Sequence, residues 1–354
     1  MYKFKKKLFS VKRFSNYSDR SFNLLNLDRN EKVIPLSKNN KKRFLQYLSK
    51  DNYELYPNLK KIYKKLSKFL KIDSSNVLLT EGVSGAIKNI LDSIEIDRTT
   101  EVILPRPSFA LYEVYCKVYG LNAKYYEYDQ NFNLKIKDIY KLINKNTSVV
   151  FLIFPNIPVD GNISVEFIKT LAAYLKRKKI LLVVDEVYYP FNNKTAMSLI
   201  KSFSNIIVMR SFSKAYGLAG ARIGYMASQK SNIETISKTK SGYEANMLSV
   251  NALHFVLDNI SITKNYVKNA KIGMQFLKKN LQQLEIKYYG GSDSNFIFID
   301  FESIKKAKTI YKKLKSKKLM VRYGFKKPFD QGIMVTGCPL QQMKKFIKYF
   351  NRFY

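Results

Sequence analysis

Apolar residues recur along this chain with two different periods, and the alternation between them predicts its architecture. Short runs that are apolar at every position occur at 102–104, 149–154, 180–184 and 206–209. Runs of this kind, free of polar alternation, mark strands covered on both faces. Between them the spacing changes to three and four. Ala86, Ile87, Ile90, Leu91 and Ile94 share one helical face, as do Val165, Ile168, Leu171, Ala172 and Leu175. Over 58–72, Leu59, Ile62, Tyr63, Leu66, Phe69 and Leu70 form an apolar stripe opposite Lys60, Lys61, Lys64, Lys65 and Lys68. Strand, helix, strand in repetition predicts right-handed crossovers and an α/β fold: a mostly parallel sheet flanked by helices.

The texture changes after residue 262. A Lys-rich helical stretch runs to 286, and Gly290-Gly291 turns into a strand over 295–300. A helix with Ile304, Ala307, Ile310, Tyr311 and Leu314 follows, then a strand over 319–322 and a last helix carrying Met343, Phe346, Ile347 and Phe350. The pattern predicts a large domain over 36–262 and a smaller α+β domain over 263–354. Residues 1–35 read as an irregular basic arm that packs with the small domain.

Composition narrows the function. The chain has 354 residues, 46% hydrophobic and 14% aromatic, enough for a large core and too many for a disordered chain. Against 27 acidic residues stand 63 basic ones, 52 of them Lys and 11 Arg, for a net charge of +36. Readers of phosphates and bases lean on the planar fork of Arg. A Lys excess on the polar faces of helices reads instead as solvated surface, and attraction of anionic substrates is its corollary. No nucleic-acid partner is expected. The single His254 lies in an apolar helical run, which points to packing and leaves no His-ligated metal. Two cysteines, Cys116 and Cys338, are too few for a disulfide framework or a Cys-rich zinc site. No apolar stretch reaches the ~18 residues of a membrane span, and the basic N-terminus lacks the apolar core of a secretory signal. A cytoplasmic protein with no membrane partner is the expectation.

Two segments carry chemistry. Residues 210–224 read RSFSKAYGLAGARIG, directly after the run at 206–209. A Lys just past a strand end sits where α/β sheets bind ligands. Ser211, Ser213 and Arg222 offer hydroxyl donors and a two-pronged cation for a phosphate; the alternative is a polar loop with an incidental Lys214. Residues 181–189 read LLVVDEVYY, delivering Asp185 to a strand's carboxyl end with Tyr188 three positions on. A carboxylate there can keep a heteroaromatic nitrogen protonated, and a phenol can bond an oxyanion beside it. The alternative is a strand-terminal Asp that caps the next helix. Residue types alone leave both readings open.

Taken together, SFSKAYGLAGARIGY and the preceding VVDEVYY resemble fold-type I pyridoxal-phosphate enzymes, and within them class I/II aminotransferases of the histidinol-phosphate aminotransferase type. Asn30-Glu31, Tyr56-Pro57, the segment TEGVSGAI at 80–87, Pro107-Ser-Phe109 and PNIP at 155–158 match the family's motifs in order. The resemblance implies pyridoxal 5'-phosphate as cofactor. Lys214 would form the Schiff base with it and shuttle the proton during turnover. Asp185 would hold the ring nitrogen protonated, Tyr188 would bond the ring's 3-oxygen, and Phe109 would stack on the ring. Backbone N–H groups of Val83 and Ser84 at a helix N-terminus would take the cofactor phosphate, with Ser211, Ser213 and Arg222 completing the cup. Tyr56 would reach the phosphate in the neighbouring subunit's site, which implies a homodimer with sites at the interface.

Two positions depart from the family pattern. Ile157 stands where the family has the Asn that bonds the 3-oxygen, leaving Asn156 to serve; Met334 stands where the family has an Arg that grips a substrate carboxylate. Arg322 matches an Arg that holds a substrate phosphate in relatives acting on phosphorylated compounds, with Lys326 and Lys327 close behind. Asn295 opens the small-domain strand and would line the substrate pocket. The implied activity is an aminotransferase acting on a small phosphorylated substrate, of the histidinol-phosphate or dihydroxyacetone-phosphate type, with an amino-acid donor such as glutamate. The alternative is a decarboxylase of a phosphorylated amino acid, of the threonine-phosphate or serine-phosphate type, since loss of a carboxylate clamp at Met334 would free that group to leave. A third reading, a nucleic-acid-binding or regulatory protein on a degenerate aminotransferase fold, rests on charge alone. Against it stand Lys214, Asp185, Tyr188 and Arg222.

Overall fold

The computed structural model describes residues 8, 9, 11 and 23–354, apart from 130, 132, 134 and 162. The rest of the expected basic arm, residues 1–7, 10 and 12–22, lies outside the described residues. Among the described residues, strands fall into three sheets. A short one pairs β1 (Leu25–Leu27) in parallel with a strand near the C-terminus. The main sheet comprises β2 (Val77–Thr80), β3 (Glu101–Arg106), β4 (Asn122–Glu127), β5 (Thr147–Ile153), β6 (Leu181–Asp185), β7 (Ile206–Ser211) and β8 (Gly224–Ala227). Its spatial order is β2-β8-β7-β6-β5-β3-β4, and β8 runs antiparallel to both of its neighbours while the others run parallel. The third sheet is antiparallel, with order β12 (Gly332–Thr336), β10 (Phe296–Asp300), β9 (Lys287–Gly290); β1 pairs with β11 (Leu319–Val321).

Successive side chains along the main strands point to opposite faces, so each face needs its own helical cover. Val150 and Leu152 of β5, Leu182 and Val184 of β6, and Ile206 and Val208 of β7 pack with one helical layer. That layer includes Ile168, Leu171 and Ala172, on a helix over Val165–Arg177. The intervening Val149, Phe151, Val183, Ile207 and Met209 pack on the other side against Ala86, Ile87 and Ile90. The sequence run at each strand is therefore apolar throughout because both of its faces are covered. The smaller sheet has a separate core of Met274, Leu277, Ile297, Ile299, Ile310, Leu314, Phe346 and Phe350. The helix Ile260–Gln283 joins the two cores, with Tyr266 and Ala270 in the first and Met274, Leu277 and Leu281 in the second.

The arm expected to be irregular contains a strand. Leu25 and Leu27 are buried against the small-sheet core, with Leu25 opposite Leu319 and Leu27 opposite Val321. Three residues are too few for a period to register in the sequence, and the partner strand that orders them is remote in the chain.

Parallel pairing aligns the strand ends. Ile153 lies opposite Asp185, and Asp185 opposite Met209. The residues just beyond those positions therefore gather at one edge of the sheet. Immediately behind that edge, Glu186 and Arg210 form a buried ion pair. Arg210 Nε donates to Glu186 Oε2 at 2.9 Å, and its Nη2 lies 2.8 Å from the same oxygen. Nη1 donates to the Tyr225 hydroxyl at 3.2 Å, and the guanidinium covers the Tyr189 ring at 3.5 Å. The other Glu186 oxygen accepts the Ala196 N–H at 2.6 Å. A pair this enclosed clamps β6 to β7, and removing one partner strands the other charge. Arg210→Ala should lower unfolding stability in urea by about 3–5 kcal/mol. The double replacement Glu186→Leu with Arg210→Met should recover most of that loss. A single-variant loss under about 1 kcal/mol would contradict the clamp.

Candidate active site

Asp185 ends β6 with its carboxylate turned inward and only 4% of its surface exposed. Oδ2 accepts the Tyr112 hydroxyl at 2.6 Å and Oδ1 accepts the Val187 N–H at 3.0 Å. Burial pushes the carboxyl up to about 6, while the two hydrogen bonds oppose that rise. Tyr112 went unread in the sequence, where it is one apolar position in a helix over Leu111–Tyr119.

Lys214 lies in the turn that follows β7, where the Gly217 N–H closes onto the Lys214 carbonyl and the Leu218 N–H onto Phe212. Its Nζ donates to the Arg29 carbonyl at 2.7 Å. Burial pushes the ammonium down to about 8; the Glu31 charge pulls it back up, Arg222 pushes it down, Asp185 raises it and Arg29 lowers it. A lysine that sheds its proton this early is a nucleophile in mildly alkaline solution. Tyr188 is buried, and its hydroxyl accepts Asn30 Nδ2 at 3.0 Å. Burial raises this phenol's pKa, so it keeps its proton at neutral pH.

An anion cradle adjoins these groups. The helix Gly82–Ser93 starts straight after β2, and Glu81 at its N-cap gives it no side-chain cap. Its first N–H groups, among them those of Val83 and Ser84, have no partner within the helix. Gly82 has φ +66°, and a Cβ there would lie 3.3 Å from Arg222 Nη2 and 3.8 Å from Ser211 Oγ. Arg222 Nη1 donates to the Ala219 carbonyl at 3.2 Å and Nη2 to the Glu81 carbonyl at 3.4 Å. Ser211 Oγ bonds Ser213 Oγ at 2.9 Å and accepts the Ser213 N–H at 3.1 Å. Guanidinium, hydroxyls and helix N-terminus thus meet around one glycine. Gly224 permits the approach, because a Cβ on it would stand 2.8 Å from the Gly82 Cα.

Other sequence candidates are placed as follows. The Phe109 ring is 46% exposed just ahead of the helix that carries Tyr112. Asn156 is fully buried past the end of β5; Nδ2 donates to the Pro107 carbonyl at 2.7 Å and Oδ1 has no partner. Ile157 packs against an apolar cluster of Val159, Tyr188, Phe296, Phe298, Phe329 and Met334. Met334, on β12, is therefore part of an apolar wall that includes Tyr188. Asn295 is fully buried and donates through Nδ2 to the Asn30 carbonyl at 3.1 Å. Arg322 is exposed beyond β11, its backbone bonded in both directions to Met334. Tyr56 is 77% exposed and lies flat on Tyr243, with ring centroids 4.4 Å apart. The cysteines are buried, and burial pushes both thiols up to about 12. Among the described residues no helix is long and apolar enough to cross a membrane, and no group of three His, Cys, Asp or Glu could hold a metal.

A mostly parallel sheet that presents a lysine, a buried acid and an anion cradle at adjacent strand ends has the architecture of fold-type I pyridoxal-phosphate enzymes. The model of the family Aminotransferase class I and II matches residues 23–349, and the chain belongs to that family. It is similar to a dihydroxyacetone phosphate transaminase of Campylobacter jejuni, with 30% identity over 80% of this chain and 78% of that one. It is also similar to a histidinol-phosphate aminotransferase of Ruminiclostridium cellulolyticum, with 29% identity over 89% of this chain and 86% of that one. The structure of histidinol-phosphate aminotransferase from Sinorhizobium meliloti in complex with pyridoxal-5'-phosphate superposes with a TM-score of 0.84 at 18% identity, covering 100% of this chain and 99% of that one. The protein is a pyridoxal-phosphate-dependent aminotransferase. Its residues fit that cofactor: the cradle at Gly82 suits a phosphate, Phe109 offers an open ring face, and Asp185 is an acid with burial enough to want a cation beside it.

The charges around Lys214 can be read by titration. Competitive acetylation of the cofactor-free protein should give Lys214 a midpoint near 8, and Glu31→Gln should move it lower because the larger of its two upward pulls is gone, with Asp185 left. A midpoint near the ordinary 10.5 would refute the burial argument.

Proposed function

We propose that this chain moves an amino group between an amino acid such as glutamate and a small phosphorylated compound of the dihydroxyacetone-phosphate or histidinol-phosphate type. The observation that carries the reading is the Lys214 amine, brought down to about 8 by burial, within the electrostatic reach of Asp185 and beside the anion cradle at Gly82. The names of the similar proteins support the phosphorylated substrate.

The cofactor, when bound, supplies an electron-withdrawing ring that stabilises charge at the substrate's reacting carbon. Lys214 holds the cofactor and moves the proton at that carbon. Asp185, kept ionised by Tyr112 and the Val187 N–H, holds the proton on the ring nitrogen. Tyr188 would donate to the ring's 3-oxygen, Phe109 would stack on the ring, and Asn156, whose Oδ1 has no partner, would serve beside them. Val83, Ser84, Ser211, Ser213 and Arg222 hold the cofactor phosphate. Arg322 would take the substrate phosphate, and Asn295 would line the substrate pocket. The apolar setting of Met334 supports a substrate with no carboxylate on that side.

The working unit is a homodimer in the cytoplasm. Exposed Leu55, Tyr56, Tyr243 and Leu248 support a contact surface from which Tyr56 reaches the partner's cofactor phosphate. Residues 36–262 form the large domain, 263–354 the small one, and the arm over 1–35 belongs with the small domain, in keeping with the β1–β11 pairing.

Absorbance spectroscopy tests the reading. Protein mixed with pyridoxal phosphate should develop a visible band that Lys214→Ala abolishes. Glutamate should bleach the band in the native protein, the mark of a completed donor half-reaction. A band that no amino donor bleaches, together with carbon dioxide released from a phosphorylated amino acid, would mean decarboxylation instead.

A further inference from the structure

A strap of chain over residues 28–33 crosses from β1 to the lysine turn. Arg29 offers its carbonyl to Lys214, and the Val33 N–H bonds the Tyr266 hydroxyl at 3.1 Å. Between them Asn30 is 3% exposed, with φ 56°, a left-handed conformation that Asn tolerates better than most residues. All its polar groups are engaged. The Asn30 N–H donates to Thr336 Oγ1 at 3.0 Å, and the Thr336 hydroxyl donates to Asn30 Oδ1 at 3.0 Å. The Asn30 carbonyl accepts Asn295 Nδ2 at 3.1 Å, and Nδ2 of Asn30 donates to the Tyr188 hydroxyl at 3.0 Å.

These bonds have a forced polarity. Thr336 Oγ1 already accepts the backbone N–H, so its proton goes to Asn30 Oδ1. The amide must then present its NH2 to Tyr188. A phenol carries one proton. Having accepted from Asn30, the Tyr188 hydroxyl keeps that proton for a different acceptor. Thr336 and Phe296 are paired across β12 and β10, Asn295 precedes Phe296, and the Phe296 ring meets the Tyr188 ring edge-on at 5.0 Å. The small sheet therefore grips the phenol at both its ring and, through Asn30, its oxygen.

We infer that Asn30 is a positioning residue for transamination: it sets the direction in which the Tyr188 hydroxyl donates, and it couples that direction to the small antiparallel sheet through Thr336 and Asn295. The inference rests on the reading of Tyr188 as donor to the cofactor's ring oxygen. Asn30 touches no reacting atom; it acts through Tyr188. Burial raises the pKa of this phenol and the Asn30 bond counters it, in keeping with a donor amide that supports the oxygen.

Two substitutions separate polarity from mere packing. Asn30→Gly keeps the left-handed backbone and removes the donor. Asn30→Asp keeps the shape and replaces the donor with an acceptor that takes the phenol's proton. With the holoenzyme, Asn30→Gly should slow bleaching by glutamate about tenfold, the size of one hydrogen bond in a buried site. It should also displace the visible band in the same direction as Tyr188→Phe. Asn30→Asp should displace it at least as far as Tyr188→Phe. In a Tyr188→Phe background, adding Asn30→Asp should change neither rate nor band by more than about twofold. Effects that multiply independently in the double variant, or an Asn30→Asp protein with the native band and rate, would overturn the inference and leave the role of Tyr188 standing. A Tyr188→Phe protein with the native band and rate would overturn the role of Tyr188 itself, and the inference with it.

Discussion

Asp185 keeps a carboxylate where burial disfavours one. A carboxyl lifted to about 6 from its ordinary 3.8 costs the cofactor-free chain on the order of 3 kcal/mol at neutral pH. The cost is present above pH 6 and is relieved as the pH falls through that value, because the protonated form suits the apolar surroundings. Tyr112 and the Val187 N–H hold the ionised form in place without cancelling the penalty. A cation set against Asp185 would reverse the shift, which makes this position a strong site for a protonated ring nitrogen. The sheet explains why the acid can be there at all. The central strands β5, β6 and β7 are covered on both faces, and the carboxyl end of each is the first point where a polar side chain can emerge.

The other groups follow from the same alignment. Lys214 is three residues past Ser211, Asn156 three past Ile153, and the helix that starts at Gly82 follows β2 on the far side of β8. Each is held by an element whose position is fixed by packing rather than by the site. The ion pair of Glu186 and Arg210 stiffens the two central strand ends from behind. The strap at residues 28–33 closes the arrangement from the opposite side, bringing the small sheet to bear on Tyr188 and Lys214 together.

Much of this was legible in the sequence where chemistry or periodicity is local. The strands at 149–153 and 206–209 stand out because they are buried on both faces, and the helix stripes because one face meets the sheet. β1 has three residues, β4 is an edge strand with partly exposed positions, and β8 has four residues and opens on glycine, so none gives a clean period. Lys214, Ser211, Ser213 and Arg222 share one contiguous motif and were legible as a group. Tyr112 lies 73 residues from the acid it bonds, and Asn30 lies 158 residues from Tyr188. No spacing rule links such pairs; only the folded sheet and strap bring them together. Met334 shows the opposite case. Its residue type announced an apolar position, and the cluster with Phe296, Phe298 and Phe329 supplies the reason.

The central claim is that Lys214, lowered by burial to about 8 and set beside Asp185 and the anion cradle, is the amine that takes the cofactor. Treating the protein with pyridoxal phosphate, reducing with borohydride and mapping the modified peptides by mass spectrometry tests it directly. The account predicts near-stoichiometric label on the peptide that contains Lys214, with the others close to background. Label spread over surface lysines, or concentrated on a different one, would contradict it.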